Sequence, residues 1–213
     1  MCHIAPMAEQ VLDVDLLLEG SDWLAQREPR FAHALTIIGP LELRRDVEGF
    51  PRLLSAIVSQ QVSTASARAI WARVEGAGLH LPQSILAATD DEMRAVGLSR
   101  PKVKYARALA ASGIDFEALP HLTDTEVIDR LVAVSGIGRW TAEIYAMFSL
   151  GRVDVLPAAD LALQEAARDL FGLESRPTEK AFRALAAPWQ PWRSVASTLL
   201  WRWYREVKGR AGV

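Results

Sequence analysis

The residue types in this chain that could do chemistry sit in two places: a Gly-Ile-Gly turn at 136–138 and a carboxylate at Asp160. The turn lies within 131–142 (LVAVSGIGRWTA), where an apolar, helix-forming run (Val127, Ile128, Leu131, Val132) stops at Ser135. A second helical run starts near Gly138. Glycine adopts backbone angles that other residues avoid and lets another chain approach closely. The N–H groups of Gly136, Gly138 and Arg139 would then point outward at a helix start, where unpaired donors and the helix dipole favour an anion. The alternative is a tight turn between two packed helices. Twenty residues beyond Trp140, the loop 151–159 ends in Asp160, which stands where a helix N-cap belongs. A carboxylate there suits an electrostatic role better than proton donation. The alternative is an aspartate that only caps.

The elements that must hold these residues read as helices, with no strong strand signal. Ser21 is placed to cap a helix over 21–38, with Trp23, Leu24, Phe31, Leu35 and Ile38 at near-helical spacing. Pro51 suits the first turn of a helix carrying Leu53, Leu54, Ile57 and Val58, and Ser63 caps the next. Thr89-Asp-Asp-Glu92 and Thr123-Asp-Thr-Glu126 have the capping-box form. Ser99 starts a helix reaching about Gly113. After the Asp160 helix come one ending near Ala187, the breaker Pro188-Trp-Gln-Pro191, and a last helix over 192–208. The expectation is an all-α protein of about ten helices.

The totals narrow the function classes. With 213 residues, half of them apolar, the chain can bury a substantial core. No apolar run reaches membrane-spanning length, and Glu9, Asp13, Asp15 and Glu19 stand where a secretion signal needs a basic region and apolar core. The expected location is therefore the cytoplasm, in a bacterium at the nucleoid. Cys2 is the only cysteine, which excludes an intramolecular disulfide and a four-cysteine iron–sulfur site. His3, His33, His80 and His121 are scattered and form no metal motif. The net charge of −2 does not announce a nucleic-acid binder. Its distribution is uneven: Arg94, Arg100, Lys102, Lys104 and Arg107 form one basic run, and Arg193, Arg202, Arg205, Lys208 and Arg210 another.

Taken in order, the segment 59–63 (SQQVS), the hairpin 135–142, the loop and helix start 154–163, and 191–194 (PWRS) resemble the helix–hairpin–helix DNA glycosylases. The subgroup they are most similar to is the 3-methyladenine DNA glycosylase II, or AlkA, type. The resemblance covers roughly residues 25–207. It implies two helical lobes with a cleft, one hairpin-containing lobe over about 51–150 and a second over 21–50 plus 151–208. The β-rich domain that often precedes these helices in the family is expected to be missing, since about 20 residues precede Ser21. By the same resemblance Asp160 is the catalytic aspartate, and Asp154 matches a non-catalytic position. Trp140, Trp201, Ile144 and Leu161 stand at base-pocket positions, the last two where relatives carry aromatic residues. Gln60, Gln61, Ser135, Gly136, Ile137, Gly138, Arg139, Thr141, Lys102 and Lys104 are candidates for DNA contact. No cofactor is required, but the hairpin is implied to hold Na⁺ or K⁺ through the main-chain carbonyls of Val132, Val134 and Ile137. The expected partner is damaged double-stranded DNA, bound by a monomer, with no membrane and no obligate protein partner.

The chemistry then implied is hydrolysis of a C1′–N bond through an oxocarbenium-like sugar, which a carboxylate beside C1′ stabilises. Cationic bases such as 3-methyladenine and 7-methylguanine are good leaving groups and would be drawn to an indole-lined pocket. The AlkA-type pattern has leucine where Gln61 stands, so a polar side chain would fill the gap left by the flipped base. Bifunctional relatives carry a lysine two residues after the second hairpin glycine. Trp140 stands there, so a lyase is not expected. The remaining alternative is a helix–hairpin–helix module that binds DNA without catalysis.

Overall fold

The computed structural model describes residues 10–209. Cys2, His3, Glu9 and Arg210 lie outside the described residues. Twelve α-helices form among the described residues: α1 (Val14–Arg27), α2 (Pro29–Ile38), α3 (Phe50–Ser59), α4 (Thr64–Gly76), α5 (Pro82–Ala87), α6 (Asp90–Ala95), α7 (Arg100–Ala110), α8 (Asp124–Val132), α9 (Arg139–Ile144), α10 (Leu161–Phe171), α11 (Glu179–Leu185) and α12 (Arg193–Lys208). The only β pairing among them is an isolated bridge between Val11 and Arg152. The all-α expectation is met.

The described residues form two compact units, 10–45 with 146–209, and 46–145. In the first, the expected single helix over 21–38 is two. The chain turns extended at Glu28 (φ −131°, ψ 103°), the residue before Pro29. Proline disfavours a helical residue before it and cannot donate into a preceding turn, so α1 stops there. Asp13 caps α1 through a bond from the Leu16 N–H, whereas Ser21 lies buried in mid-helix and donates to the Leu17 carbonyl. The cap therefore sits well before the position that the apolar spacing predicts, because α1 begins inside the acidic stretch at 13–19. Phe31, Phe171, Phe182 and Trp189 pack edge-on or tilted around one another at centroid distances of 5.1–5.9 Å. Gly20 lets α1 lie flat on α12, since an added Cβ would fall 2.6 Å from the Trp192 ring. This core sets the direction in which α10 and α12 run.

In the second unit α3 packs on α4 and α7, α5 and α6 also pack on α7, and α8 packs on α9. Both sequence capping boxes form, Thr89 with Glu92 at α6 and Thr123 with Glu126 at α8. Burial draws the Tyr145 phenol into this unit, where its hydroxyl accepts the Gly49 N–H at 2.8 Å. α5 begins with Pro82 at its first position and leaves no mark in the apolar spacing, which is too short there to repeat.

Candidate active site

The stretch that carries Asp160 begins with a π-helical turn, Tyr145–Ser149, a feature that sequence periodicity does not reveal. Gly151 follows at φ +70°, and a Cβ there would strike the Arg45 guanidinium, which itself donates to the Ser149 carbonyl at 2.8 Å. The Pro-Trp-Arg-Ser segment then fastens the loop. The Ser194 hydroxyl donates to the Arg152 carbonyl at 2.6 Å and accepts the Val155 N–H at 3.0 Å, while the Ser194 N–H bonds the Val153 carbonyl. Arg193 grips both carboxylate oxygens of Asp154 at 2.7 and 2.8 Å. Asp154 is thus a structural ion pair between the loop and the start of α12.

Asp160, 5 % exposed, ends this loop. Its Oδ1 caps α10 by accepting the Leu163 N–H at 2.9 Å and also accepts the indole N–H of Trp201 at 3.2 Å. Gln164 adds a bond to the Ala158 carbonyl, fixing the residues before the cap. Trp201 is buried, and its ring stacks on Phe148 with centroids 5.6 Å apart and planes at 30°. The expected pocket residue Trp201 therefore orients the carboxylate as well. Phe148 escapes sequence reasoning because an aromatic inside an apolar run (Ile144, Tyr145, Ala146, Met147) reads as core. Leu161, beside Asp160, is 59 % exposed, an apolar side chain left in the open next to the carboxylate.

The second unit carries the hairpin. The Val134 and Ile137 N–H groups bond the Leu131 and Val134 carbonyls, turning the chain out of α8. Gly136 has φ +97°, and a Cβ on it would lie 2.4 Å from the Tyr105 ring. Both observations require glycine. Gly138 differs: its backbone angles are ordinary, a Cβ would meet nothing, and no side chain caps α9. Nothing within the chain demands a glycine there. Ser135 and Arg139 are exposed, and Arg139 pairs at 3.1 Å with Glu143, a buried carboxylate that motif reading passes over. Trp140 is half-buried.

Several candidates for DNA contact have other positions. Lys102 is a correction: only 8 % exposed, it donates from Nζ to the Val58 carbonyl at 2.7 Å and caps the last turn of α3. Burial holds its ammonium below the ordinary lysine range. The i, i+2 spacing from exposed Lys104 turns it to the opposite side of α7. Thr141 and Ile144 are also buried, as α9 packs on α8. Gln60 donates from Nε2 to the Gly136 carbonyl at 2.9 Å, joining the 60–63 turn to the hairpin. Gln61 is exposed at φ +57°, the only non-glycine with positive φ among the described residues. No group of three His, Cys, Asp or Glu able to hold a metal occurs among the described residues.

The sequence pattern of the HhH-GPD superfamily base excision DNA repair proteins matches residues 54–191, which span α3 to the start of the Pro-Trp-Arg-Ser segment. The chain belongs to this family. Among HhH-GPD relatives, it is 32 % identical over 164 residues to DNA-3-methyladenine glycosylase 1 of Schizosaccharomyces pombe, covering 73 % of this chain and 72 % of that protein. A Bacillus subtilis protein, YfjP, is 33 % identical over 125 residues, which are 57 % of this chain but 44 % of that protein's length. The solved structure of DNA-3-methyladenine glycosidase from Bacillus halodurans superposes with a TM-score of 0.82 at 32 % identity, covering 95 % of each chain. S. pombe 3-methyladenine DNA glycosylase Mag1, solved in complex with abasic DNA, gives a TM-score of 0.74 at 27 % identity over 88 % of this chain and 95 % of that one. No helix among the described residues is long and apolar enough to cross a membrane.

Proposed function

We propose that this chain is a monofunctional DNA glycosylase that removes alkylated bases, 3-methyladenine and 7-methylguanine among them, from double-stranded DNA and leaves an abasic site. The observation that carries the proposal is Asp160, a nearly buried carboxylate held by a helix N-terminus and by the Trp201 indole within a family of base excision proteins. As the C1′–N bond breaks, positive charge develops on the sugar. A fixed carboxylate stabilises that charge and orients or deprotonates the attacking water, with no reorganisation at the moment of reaction. Engagement of Asp154 by Arg193 leaves Asp160 as the carboxylate of this loop that suits the role.

The hairpin unit supplies the grip. The 136–139 backbone takes a phosphate, with Gly138 allowing its approach, and Ser135 and Arg139 flank it. The carbonyls of Val132, at the end of α8, and of Val134 and Ile137, in the turn before α9, are hard oxygen donors, a set that fits Na⁺ or K⁺ joining the phosphate to the turn. Gln61, held outward by its backbone, fills the stack vacated by the flipped base. Trp140 provides the indole face that favours a cationic base. The protein acts as a monomer on DNA and needs no protein partner.

The test is mass spectrometry of free bases released from DNA treated with a methylating agent. Release of 3-methyladenine and 7-methylguanine is expected. DNA binding with no released base would leave only the binding function.

A further inference from the structure

The first unit contains a cavity of about 440 Å³ with an unusual lining. Four arginines line it, Arg44, Arg45, Arg202 and Arg205, against one acidic residue, Glu42. Arg202 and Arg205 lie three residues apart on α12 and so share a face. Arg44 is held over the Phe148 ring at 4.7 Å, and Arg45 is held by its bond to the Ser149 carbonyl. The wall behind them is the Phe148–Trp201 stack, whose indole N–H is the Asp160 donor. Any group in the cavity is therefore one side chain away from the proposed catalytic carboxylate.

We propose that this cavity seats a backbone phosphate of the DNA strand that carries the lesion, close to the nucleotide that Asp160 acts upon. The inference rests on the glycosylase proposal and adds a second anchoring point, on a different unit from the hairpin. A nucleobase, neutral or cationic, gains little from four guanidiniums. Phosphate oxygens match their planar, multi-donor geometry and their charge. The aromatic wall accepts the apolar face of the adjoining sugar. In a chain of net charge −2, attraction to DNA has to come from such local concentrations of basic residues. The uneven basic run of the C-terminus thus divides by role: Arg193 closes the loop through Asp154, while Arg202 and Arg205 face the cavity.

The test uses the full chain and a duplex with an abasic analogue, so that binding is read without base release. Wild-type protein and R202Q/R205Q are compared by titration at several salt concentrations, with melting temperature as the check on folding. The variant is expected to bind about tenfold more weakly and to lower the slope of log K against log salt by about one, the contribution of the one phosphate it no longer neutralises. Single methylphosphonates are then placed at each phosphate within three nucleotides of the analogue. At one of them, neutralisation should weaken the wild type and leave R202Q/R205Q unaffected. An unchanged slope in the folded variant, or a methylphosphonate profile identical to the wild type, overturns the proposal. A thermal shift by dAMP or inorganic phosphate that the variant loses, with DNA binding unaltered, assigns the cavity to a free anion and also overturns it. Failure of the glycosylase proposal would appear separately, as absent base release by the wild type.

Discussion

Asp154 and Asp160 stand six residues apart in one loop, yet their surroundings give them different work. Asp154 has both oxygens in the Arg193 fork, so its removal should cost stability. Asp160 has a cap bond and an indole bond converging on Oδ1, a geometry that asparagine can reproduce through its own amide oxygen. Asp160→Asn should therefore keep the fold and DNA affinity while single-turnover base release falls by about 10³-fold, the scale of losing one preorganised electrostatic group. Near-normal release by the folded variant would remove Asp160 from the mechanism. Trp140 poses a different question, because an indole can act by stacking or by cation–π attraction. Stacking loss weakens all bases alike, whereas loss of cation–π attraction, about 1–2 kcal/mol when desolvated, weakens charged ones preferentially. Trp140→Ala should reduce excision of 7-methylguanine and 3-methyladenine by roughly tenfold more than that of a neutral lesion. Equal losses, measured side by side, would reduce Trp140 to packing.

The turn between α3 and α4 shows how elements hold a residue in place. Lys102 caps the end of α3 from below, Gln60 ties the turn to the hairpin, and Gln61 between them takes a left-handed backbone. That conformation costs a non-glycine residue about 1–2 kcal/mol. Gln61→Gly should relieve it and raise the melting temperature by a few degrees, while weakening binding to flipped-base analogues and erasing any dependence of excision on the opposite base. A glycine variant that is both more stable and fully active on every opposing base would show that the side chain does nothing in the duplex. The Lys102 clamp gives a pH signature. Burial lowers its folded pKa below that of the unfolded chain, so the unfolded state binds more protons between the two values. Stability contributed at this site therefore rises as pH climbs through that window. Tyr145 acts in the opposite sense above pH 10, because burial raises its folded pKa and the folded state then holds the proton longer. Lys102→Met should abolish the rise in denaturation midpoint with pH below 10 and leave the decline above it, which a urea titration across pH 7–11 would read. A rise of the same size in the variant would assign it to another group.

At the scale of the whole molecule, what the sequence makes legible is whatever short-range chemistry decides. Capping boxes, the hairpin glycines and the Asp160 cap all announce themselves within a few residues, and each forms where its spacing places it. What stays hidden depends on partners far along the chain. Lys102 reads as one more surface cation until α3 is packed against it, and Phe148 reads as core until Trp201, 53 positions later, stacks on it. The split at Glu28-Pro29 is a local signal masked by apolar spacing that runs through it. Whether the protein cuts the strand after releasing a base depends on the amines of the whole chain. A lyase needs an amine at C1′ to form a Schiff base. The chain has four lysines, Lys102, Lys104, Lys180 and Lys208, and none falls within the hairpin and α9, where Trp140 occupies the position that carries lysine in bifunctional relatives. Lys102 is buried against a carbonyl, Lys104 is exposed on α7 and Lys180 is exposed on α11. Incubation with abasic duplex and borohydride should therefore yield no covalent protein–DNA adduct, and strand breaks should appear only after alkali is added. A trapped adduct that survives Asp160→Asn would place an amine at the sugar and turn the assignment toward a bifunctional enzyme.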